Sequence, residues 1–180
     1  MAKGSFVAGQ SLPDGISSKN LEAAKGLRKI ASAPVWVLGA ILLIALSGVL
    51  GGGKAEIMTA SAPRADLTVK IPTTMRSGMF FEMQIDADVR SDISDLVIAL
   101  PPGLWHEMTI NTMIPAPEKE SHEDGAFRFS YGPFRAGDKL SVKVDGQLNP
   151  ALTVGTRGHV RLLDGDTPIT ALPVTIRVFP

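Results

Sequence analysis

The distribution of hydrophobic residues divides the chain into one uncharged apolar segment and a long region of alternating pattern. Residues 30–53 contain no charged side chain and are dense in Leu, Ile, Val and Ala. A helix rises about 1.5 Å per residue, so about 20 apolar residues cover the hydrocarbon core of a bilayer. The sequence therefore predicts one transmembrane helix over residues 30–53, with the lipid bilayer as a partner.

The basic residues around this segment predict its orientation. Five of them precede it within residues 1–29, whereas Lys54 and Arg64 are the ones that follow it closely. Basic flanks stay on the cytoplasmic side of a membrane. Residues 1–29 are therefore predicted to be a cytoplasmic arm, either a topology signal or a short basic helix on the membrane surface. The C-terminal region is then periplasmic or extracellular.

A cleaved signal peptide has the same order of features and is the alternative to a retained signal-anchor. The 29 residues before the apolar segment are longer than a secretory n-region, and the segment exceeds the usual h-region of about 7–15 residues. Small-residue cleavage sites occur at residues 53–55 and 60–62, the second followed by Pro63. The two lengths favour retention and a single-pass membrane protein.

Beyond this segment the hydrophobic period changes to two. Residues 54–65, rich in Ala, Ser and Thr, are predicted to be a linker. Alternating runs bounded by turn residues then indicate strands. The predicted strands cover residues 66–71, 79–89, 95–100, 107–110, 126–131, 139–148, 158–163 and 174–179. Seven or eight short strands without a convincing helix predict an all-β fold, a single immunoglobulin-like antiparallel β-sandwich over residues 66–180.

Three short motifs in this region resemble a known family. A strand ends in LPPGL at residues 100–104, FRF follows at 127–129, and AGDKLSV opens a later strand at 136–142. In this order they resemble bacterial surface repeats of the immunoglobulin-like type, over about residues 66–180. The resemblance implies a folded spacer or adhesion module with no catalytic residues to carry over.

Charge and cysteine content exclude several functions. Residues 65–180 hold eleven basic and fifteen acidic side chains, a balance that argues against binding nucleic acid. The chain has no cysteine, which removes disulfides, thiolate zinc sites, thiol catalysis and lipid attachment at cysteine. A cysteine-free outer domain is typical of a bacterial envelope protein. The predicted location is the bacterial cytoplasmic (inner) membrane.

No residue pattern in the sequence predicts catalysis or a cofactor. The three histidines, His106, His122 and His159, lack metal-ligand spacing, and no serine lies in a nucleophile elbow. We therefore predict that the chain is not an enzyme. The acidic residues between 118 and 124, and at 164 and 166, offer oxygens to Ca²⁺, but no calcium loop is spelled out and a solvated hairpin loop is the favoured interpretation.

Two pairs of residues are candidates for interaction. Leu104 and Trp105 follow a turn, where a large aromatic side chain is a typical contact anchor; the alternative is that Trp105 folds back to cap the core. Gly48 and Gly52 form a G-x-x-x-G at the outer end of the apolar segment, which lets helix backbones approach closely. The alternative is that the helix frays there.

These features support two hypotheses of different class. The first is a single-pass accessory or scaffold protein whose outer sandwich mediates protein–protein interaction with an integral membrane partner, or which self-associates through its helix. The second is an extracytoplasmic ligand-binding or sensory domain that recognises a cation, a glycan or a cell-wall component.

Overall fold

The structure is a computed structural model that describes residues 33–48 and 54–180. The chain divides into two compact units, Met1–Leu46 and Ser47–Pro180. The first contains helix α1 (Ala33–Leu46), whose 14 residues include no buried side chain. Within the described residues no helix has the length and apolar character needed to cross a membrane. Both ends of the predicted segment 30–53 lie outside the described residues.

The second unit is built from β-strands, which confirms the all-β prediction. The described residues form eleven strands, and eight of them overlap the predicted ones. The strands are β1 (Glu56–Ser61), β2 (Ala65–Ile71), β3 (Thr74–Arg76), β4 (Phe80–Val89), β5 (Leu96–Leu100), β6 (Met108–Ile114), β7 (Lys119–Glu123), β8 (Ala126–Ser130), β9 (Lys139–Leu148), β10 (Thr156–Asp164) and β11 (Thr167–Phe179).

The strands form two sheets. One has the order β1-β2-β4-β9-β6 and the other the order β3-β11-β10-β5-β8-β7. Neighbouring strands are antiparallel except β3 and β11, which run parallel. The prediction of a purely antiparallel sandwich of seven or eight strands is therefore corrected to eleven strands with one parallel pair.

The core lies between the inner faces of the two sheets. In β2, for example, Ala65, Leu67, Val69 and Ile71 are buried, and the residues between them are more exposed. Fully burying an aliphatic side chain of this size contributes about 1.5–3 kcal/mol, so the core supplies most of the favourable free energy of folding. Its largest fully buried side chains are Leu67, Ile71, Met75, Met83, Ile85, Ile93, Leu96, Ile98, Leu100, Leu104, Leu148 and Leu162.

The three strands that the sequence pattern does not predict are all edge strands. β1 lies inside the predicted linker 54–65, so that assignment is corrected, and β7 lies where the sequence favours a solvated loop. β1 has no fully buried residue and neither does β7. An edge strand with little burial lacks the strong alternation of a strand that is buried on one face, and for that reason its sequence does not identify it.

A polar network joins the two sheets at one end of the sandwich. Arg64, in the β1–β2 turn, donates to Oδ2 of Asp164 at 2.6 Å and to the carbonyl oxygen of Asp92 at 2.9 Å. The other oxygen of Asp164 accepts from the backbone N–H groups of Ser94 at 2.8 Å and Asp95 at 3.1 Å. The hydrogen bond from Arg64, together with those from the backbone, lowers the pKa of Asp164.

We expect Gly155→Ala to destabilise the domain far more than Gly137→Ala. Both glycines have strongly positive φ, +100° and +96°. A Cβ at Gly155 would overlap the carbonyl oxygen of Ile176 in β11, whereas nothing lies within 4 Å of one at Gly137. Urea unfolding should therefore show a loss of about 1–2 kcal/mol for Gly137→Ala and of about 4 kcal/mol or more for Gly155→Ala. Similar losses would contradict the assigned clash.

We expect Asp164→Asn to destabilise the fold at neutral pH and much less in acid. The folded pKa of Asp164 is lowered, so its contribution is complete above about pH 5 and is lost as the pH falls below the ordinary aspartate value of about 3.9. Losing the charge-assisted hydrogen bond costs about 1–3 kcal/mol. Urea unfolding at neutral and acidic pH measures the difference. Asp88→Asn, which removes the exposed pair with Lys139, is the control and should change little.

Candidate functional site

An open groove lies between the last strands of the two sheets. β6 ends one sheet and β7 ends the other, and within residues 54–180 no further strand pairs with either. A cavity of about 300 Å³ lies between them, and an adjoining one of about 280 Å³ lies between Trp105 and the β7–β8 hairpin. The two cavities share the side chains of Trp105, Glu120 and Phe129. We call this surface the Trp105 groove. Its lining residues are Trp105, Ile110, Asn111, Thr112, Met113, Glu120, Ser121, His122, Phe127 and Phe129.

Aromatic rings form the wall of the groove on the β8 side. Phe127 and Phe129 lie on the same face of β8 because strand residues alternate. The Trp105 ring is stacked near Phe127, with centroids 6.1 Å apart, and lies 5.6 Å from Phe129 at a tilt of 47°. In β7, His122 pairs with Phe127 and contacts it edge-on at 5.2 Å, while Glu120 pairs with Phe129. The β7–β8 register thus places Phe127, Phe129, His122 and Glu120 on one face, and Trp105 contacts the two phenylalanine rings from outside this hairpin.

A tight turn after β5 positions Trp105. The backbone N–H of Leu104 donates to the carbonyl oxygen of Pro101 at 3.0 Å, and that of Met108 donates to Trp105 at 3.2 Å. Leu104 is only 1% exposed, and its carbonyl oxygen accepts a hydrogen bond from the Thr156 hydroxyl at 2.9 Å. The turn is therefore fastened to the core on one side and presents Trp105 on the other.

The structure separates the two predicted contact residues. Leu104 belongs to the core, so its assignment to an interaction surface is corrected: the side chain fills space between the sheets. Trp105 is half-buried against the core and also lines both cavities. The two interpretations of Trp105 from the sequence, a cap on the core and a surface anchor, therefore describe different faces of one ring.

Glu120 gives the apolar groove a negative charge. It borders both cavities, and no ion pair of the described residues includes it. Nearby Tyr131 is buried and its hydroxyl donates to Sδ of Met113 at 3.2 Å. Burial first, and then the charge of Glu120, raise the pKa of Tyr131 to about 12. The groove therefore combines aromatic surface with an exposed carboxylate that forms no ion pair within the described part of the chain.

The glycine pair of the predicted helix interface is only partly within the described residues. Gly48 follows the end of α1 and has φ of +73°, a left-handed conformation that terminates a helix. Its prediction as a helix-packing residue is corrected for this reason: it does not lie on a helical face. Gly52 lies outside the described residues, and its role stays a prediction.

The acidic residues predicted to lie in loops are distributed by strand geometry. Glu120 and Glu123 of β7 fall on opposite faces because they are three residues apart. Asp164 is bound by Arg64, and Asp166 accepts from Arg128 at 2.7 Å. Within residues 33–48 and 54–180 no three His, Cys, Asp or Glu side chains form a group able to hold a metal ion.

Most of the groove is absent from the sequence prediction. Phe127 and Phe129 are predicted as strand residues but not as neighbours of Trp105, and residues 110–113 of β6 are not assigned to a site. The F-x-F spacing indicates that two rings share a face. That this face lies beside Trp105 and β6 depends on contacts between residues distant in sequence. A local hydrophobic pattern does not predict such contacts.

Comparison with known proteins adds a fold likeness. No protein-family model and no curated protein matches the chain. Among solved structures, it is similar to a non-cellulosomal cohesin from the hyperthermophilic archaeon Archaeoglobus fulgidus, at 10% identity and a TM-score of 0.38, over 71% of this chain and 93% of that chain. A likeness at this level carries no information about activity or partner.

Tyr131, the one tyrosine of the sequence, makes the electrostatics of the groove measurable. Tyrosinate absorbance should titrate with a pKa of about 12 while circular dichroism shows that the fold persists. Glu120→Gln should lower this pKa but leave it above the ordinary value of about 10, because burial is the larger cause. A pKa near 10 in the folded wild-type chain would show that the hydroxyl is solvated.

Proposed function

We propose that this chain is a non-enzymatic, membrane-anchored accessory protein whose β-sandwich binds a protein partner through the Trp105 groove. The observation that carries the proposal is the pair of adjoining cavities that share Trp105, Glu120 and Phe129. Interface hot spots are enriched in tryptophan, which supplies a large rigid contact area. The groove offers such a residue, already positioned by the Leu104 turn, at a side of the sandwich that no strand of residues 54–180 covers.

The anchoring part of the proposal rests on the sequence. It assigns residues 30–53 to a bacterial cytoplasmic membrane, residues 1–29 to the cytoplasm and the β-sandwich to the outside, as the uncharged length and the basic flank indicate. A domain tethered in this way meets membrane-bound partners at high effective concentration. An integral membrane protein is therefore the proposed partner, with self-association through the helix as a further contact.

The non-enzymatic part of the proposal rests on the polar groups of the groove. Glu120 and His122 lie on the same face of β7, and Ser121 lies between them in sequence. Nucleophilic catalysis requires a hydroxyl within hydrogen-bond reach of its base. No hydrogen bond of the described residues joins Ser121 to His122, and Trp105, Phe127 and Phe129 make up half of the residues that line this cavity. Binding is the function that this set of groups supports best.

A glycan is the second candidate ligand. Trp105 and Phe127 present ring faces beside Glu120, Asn111 and Thr112, and a pocket with apolar walls and a few polar groups suits a small ligand. A ligand that binds the native state raises its thermal unfolding midpoint. The two candidates are therefore separated by whether soluble glycans or a protein occupy the groove.

The test is capture of the full-length chain from its native membrane in mild detergent, followed by mass spectrometry. Recovery of a stoichiometric membrane protein is expected with the wild-type chain. Trp105→Ala should weaken this association by about 30-fold or more, as for an interface hot spot. Phe80→Ala is the matched control, because Phe80 is an aromatic residue 70% exposed at the start of β4 and outside the groove.

Thermal unfolding of both variants establishes that each is folded. Equal recovery of the companion with Trp105→Ala would place the interface elsewhere. A lone wild-type chain whose unfolding midpoint rises with cell-wall glycans would favour the second candidate. A recovered chain that begins near residue 55 would contradict the retained anchor.

A further inference from the structure

Among the edge strands formed by residues 54–180, β6 is the one that carries no charge. Each of the other three edge strands contains a charged residue, Glu56 in β1, Arg76 in β3 and Lys119 in β7. The sequence of β6, MTINTMI, contains none. Charged side chains on an edge strand hinder pairing with another chain. β6 is thus the edge at which an additional strand meets the least electrostatic hindrance.

The hydrogen bonds at the start of β6 show which backbone groups face outward. The N–H of Asn149 donates to the carbonyl oxygen of Glu107 at 2.9 Å, and the N–H of Met108 turns away to Trp105. In an antiparallel ladder the backbone groups of successive residues point alternately toward and away from the partner strand. Thr109 therefore faces β9, and the N–H and carbonyl groups of Ile110 face the free edge beside the groove.

A strand added at this edge would fill the Trp105 groove. It would extend the sheet β1-β2-β4-β9-β6 by one position, about 4.8 Å beyond β6. Every second side chain would then point to the inner face. The groove lies on that face, with Ile110 and Met113 on one side and Trp105 and Phe129 on the other. Main-chain pairing and side-chain pockets are the two components of strand addition in peptide recognition.

The charge of the groove specifies part of the occupant. Glu120 has no cation within ion-pair distance in the described residues. A carboxylate beside an apolar surface binds a lysine or arginine side chain through charge-assisted hydrogen bonds. An occupant with one basic side chain among apolar ones is complementary to this surface.

We infer that the partner contributes an extended segment that pairs with β6 as a sixth strand. Its inward apolar side chains contact Trp105 and Phe129, and a basic side chain binds Glu120. This inference rests on the proposed function and names the chemistry of the partner at the same groove.

The test uses the full-length chain in mild detergent and a displayed library of random dodecapeptides as the probe. Selected peptides should alternate apolar with basic or polar residues. They should protect the amide of Ile110 from hydrogen exchange, and Trp105→Ala should weaken their binding by about 30-fold. Glu120→Gln should reduce the affinity and its dependence on salt, because it removes the ionic contact.

Two substitutions at one position separate main-chain pairing from side-chain contact. Ile110→Pro removes the outward N–H and should weaken peptide binding by about tenfold or more, while Ile110→Val retains it and should bind nearly as the wild type does. Thermal unfolding reports whether the proline variant is folded. Protection of the Ile110 amide from hydrogen exchange in the wild-type complex tests main-chain pairing without any substitution.

Several outcomes would overturn the inference. They are a library without groove binders, bound peptides that leave the amides of β6 unprotected, and a complex in which two copies of this chain pair through β6. If capture from the native membrane still depends on Trp105 in any of these cases, the groove binds a protein in another way. The proposed function then stands and strand addition does not.

Discussion

Burial of two sheet faces against each other is the constraint on which the rest of this structure depends. The inner face of each sheet is a regular row of aliphatic side chains, and each row leaves water only by covering the other. Within residues 54–180 the two sheets have five and six strands. β6 is the last strand of one sheet and β7 is the last strand of the other, and a cavity lies between these two edges. Trp105 covers part of this cavity. The groove is thus a direct consequence of how the sandwich ends.

The groove and the opposite end of the core each contain a carboxylate, and the two carboxylates differ in their partners. Glu120 is exposed, pairs in register with Phe129 and lies near the buried hydroxyl of Tyr131, where its charge opposes ionisation of that hydroxyl. None of the ion pairs among the described residues includes it. At the other end of the core, by contrast, Asp164 has Arg64 and two backbone donors. An exposed carboxylate beside an aromatic wall is available to a basic side chain of a partner. The contrast between these two carboxylates favours the groove as the binding surface.

The central strands are predictable from the sequence, and the edges are not. β4 and β9 alternate buried and exposed residues over their whole lengths, and the pattern of hydrophobic residues gives their positions within one residue. β7, with the sequence KESHE, buries no residue fully and is identified by its pairing with β8. The same limit applies to the site: Trp105 is visible as an aromatic residue after a turn, whereas its neighbours Phe127 and Glu120 come from a hairpin about 20 residues away.

An uncharged edge that accepts a partner strand also risks pairing with the wrong chain, and β6 contains features that limit this risk. A bulge between Ile110 and Thr112 breaks the regular register, and Pro115, which has no backbone N–H, follows the strand. These features confine regular pairing to a short segment on either side of the bulge. A short segment gives few hydrogen bonds, so recognition depends on the side chains that enter the Trp105 groove. Specificity for the partner then comes from contacts with Trp105 and Glu120. Backbone pairing with β6 determines the orientation of the bound segment.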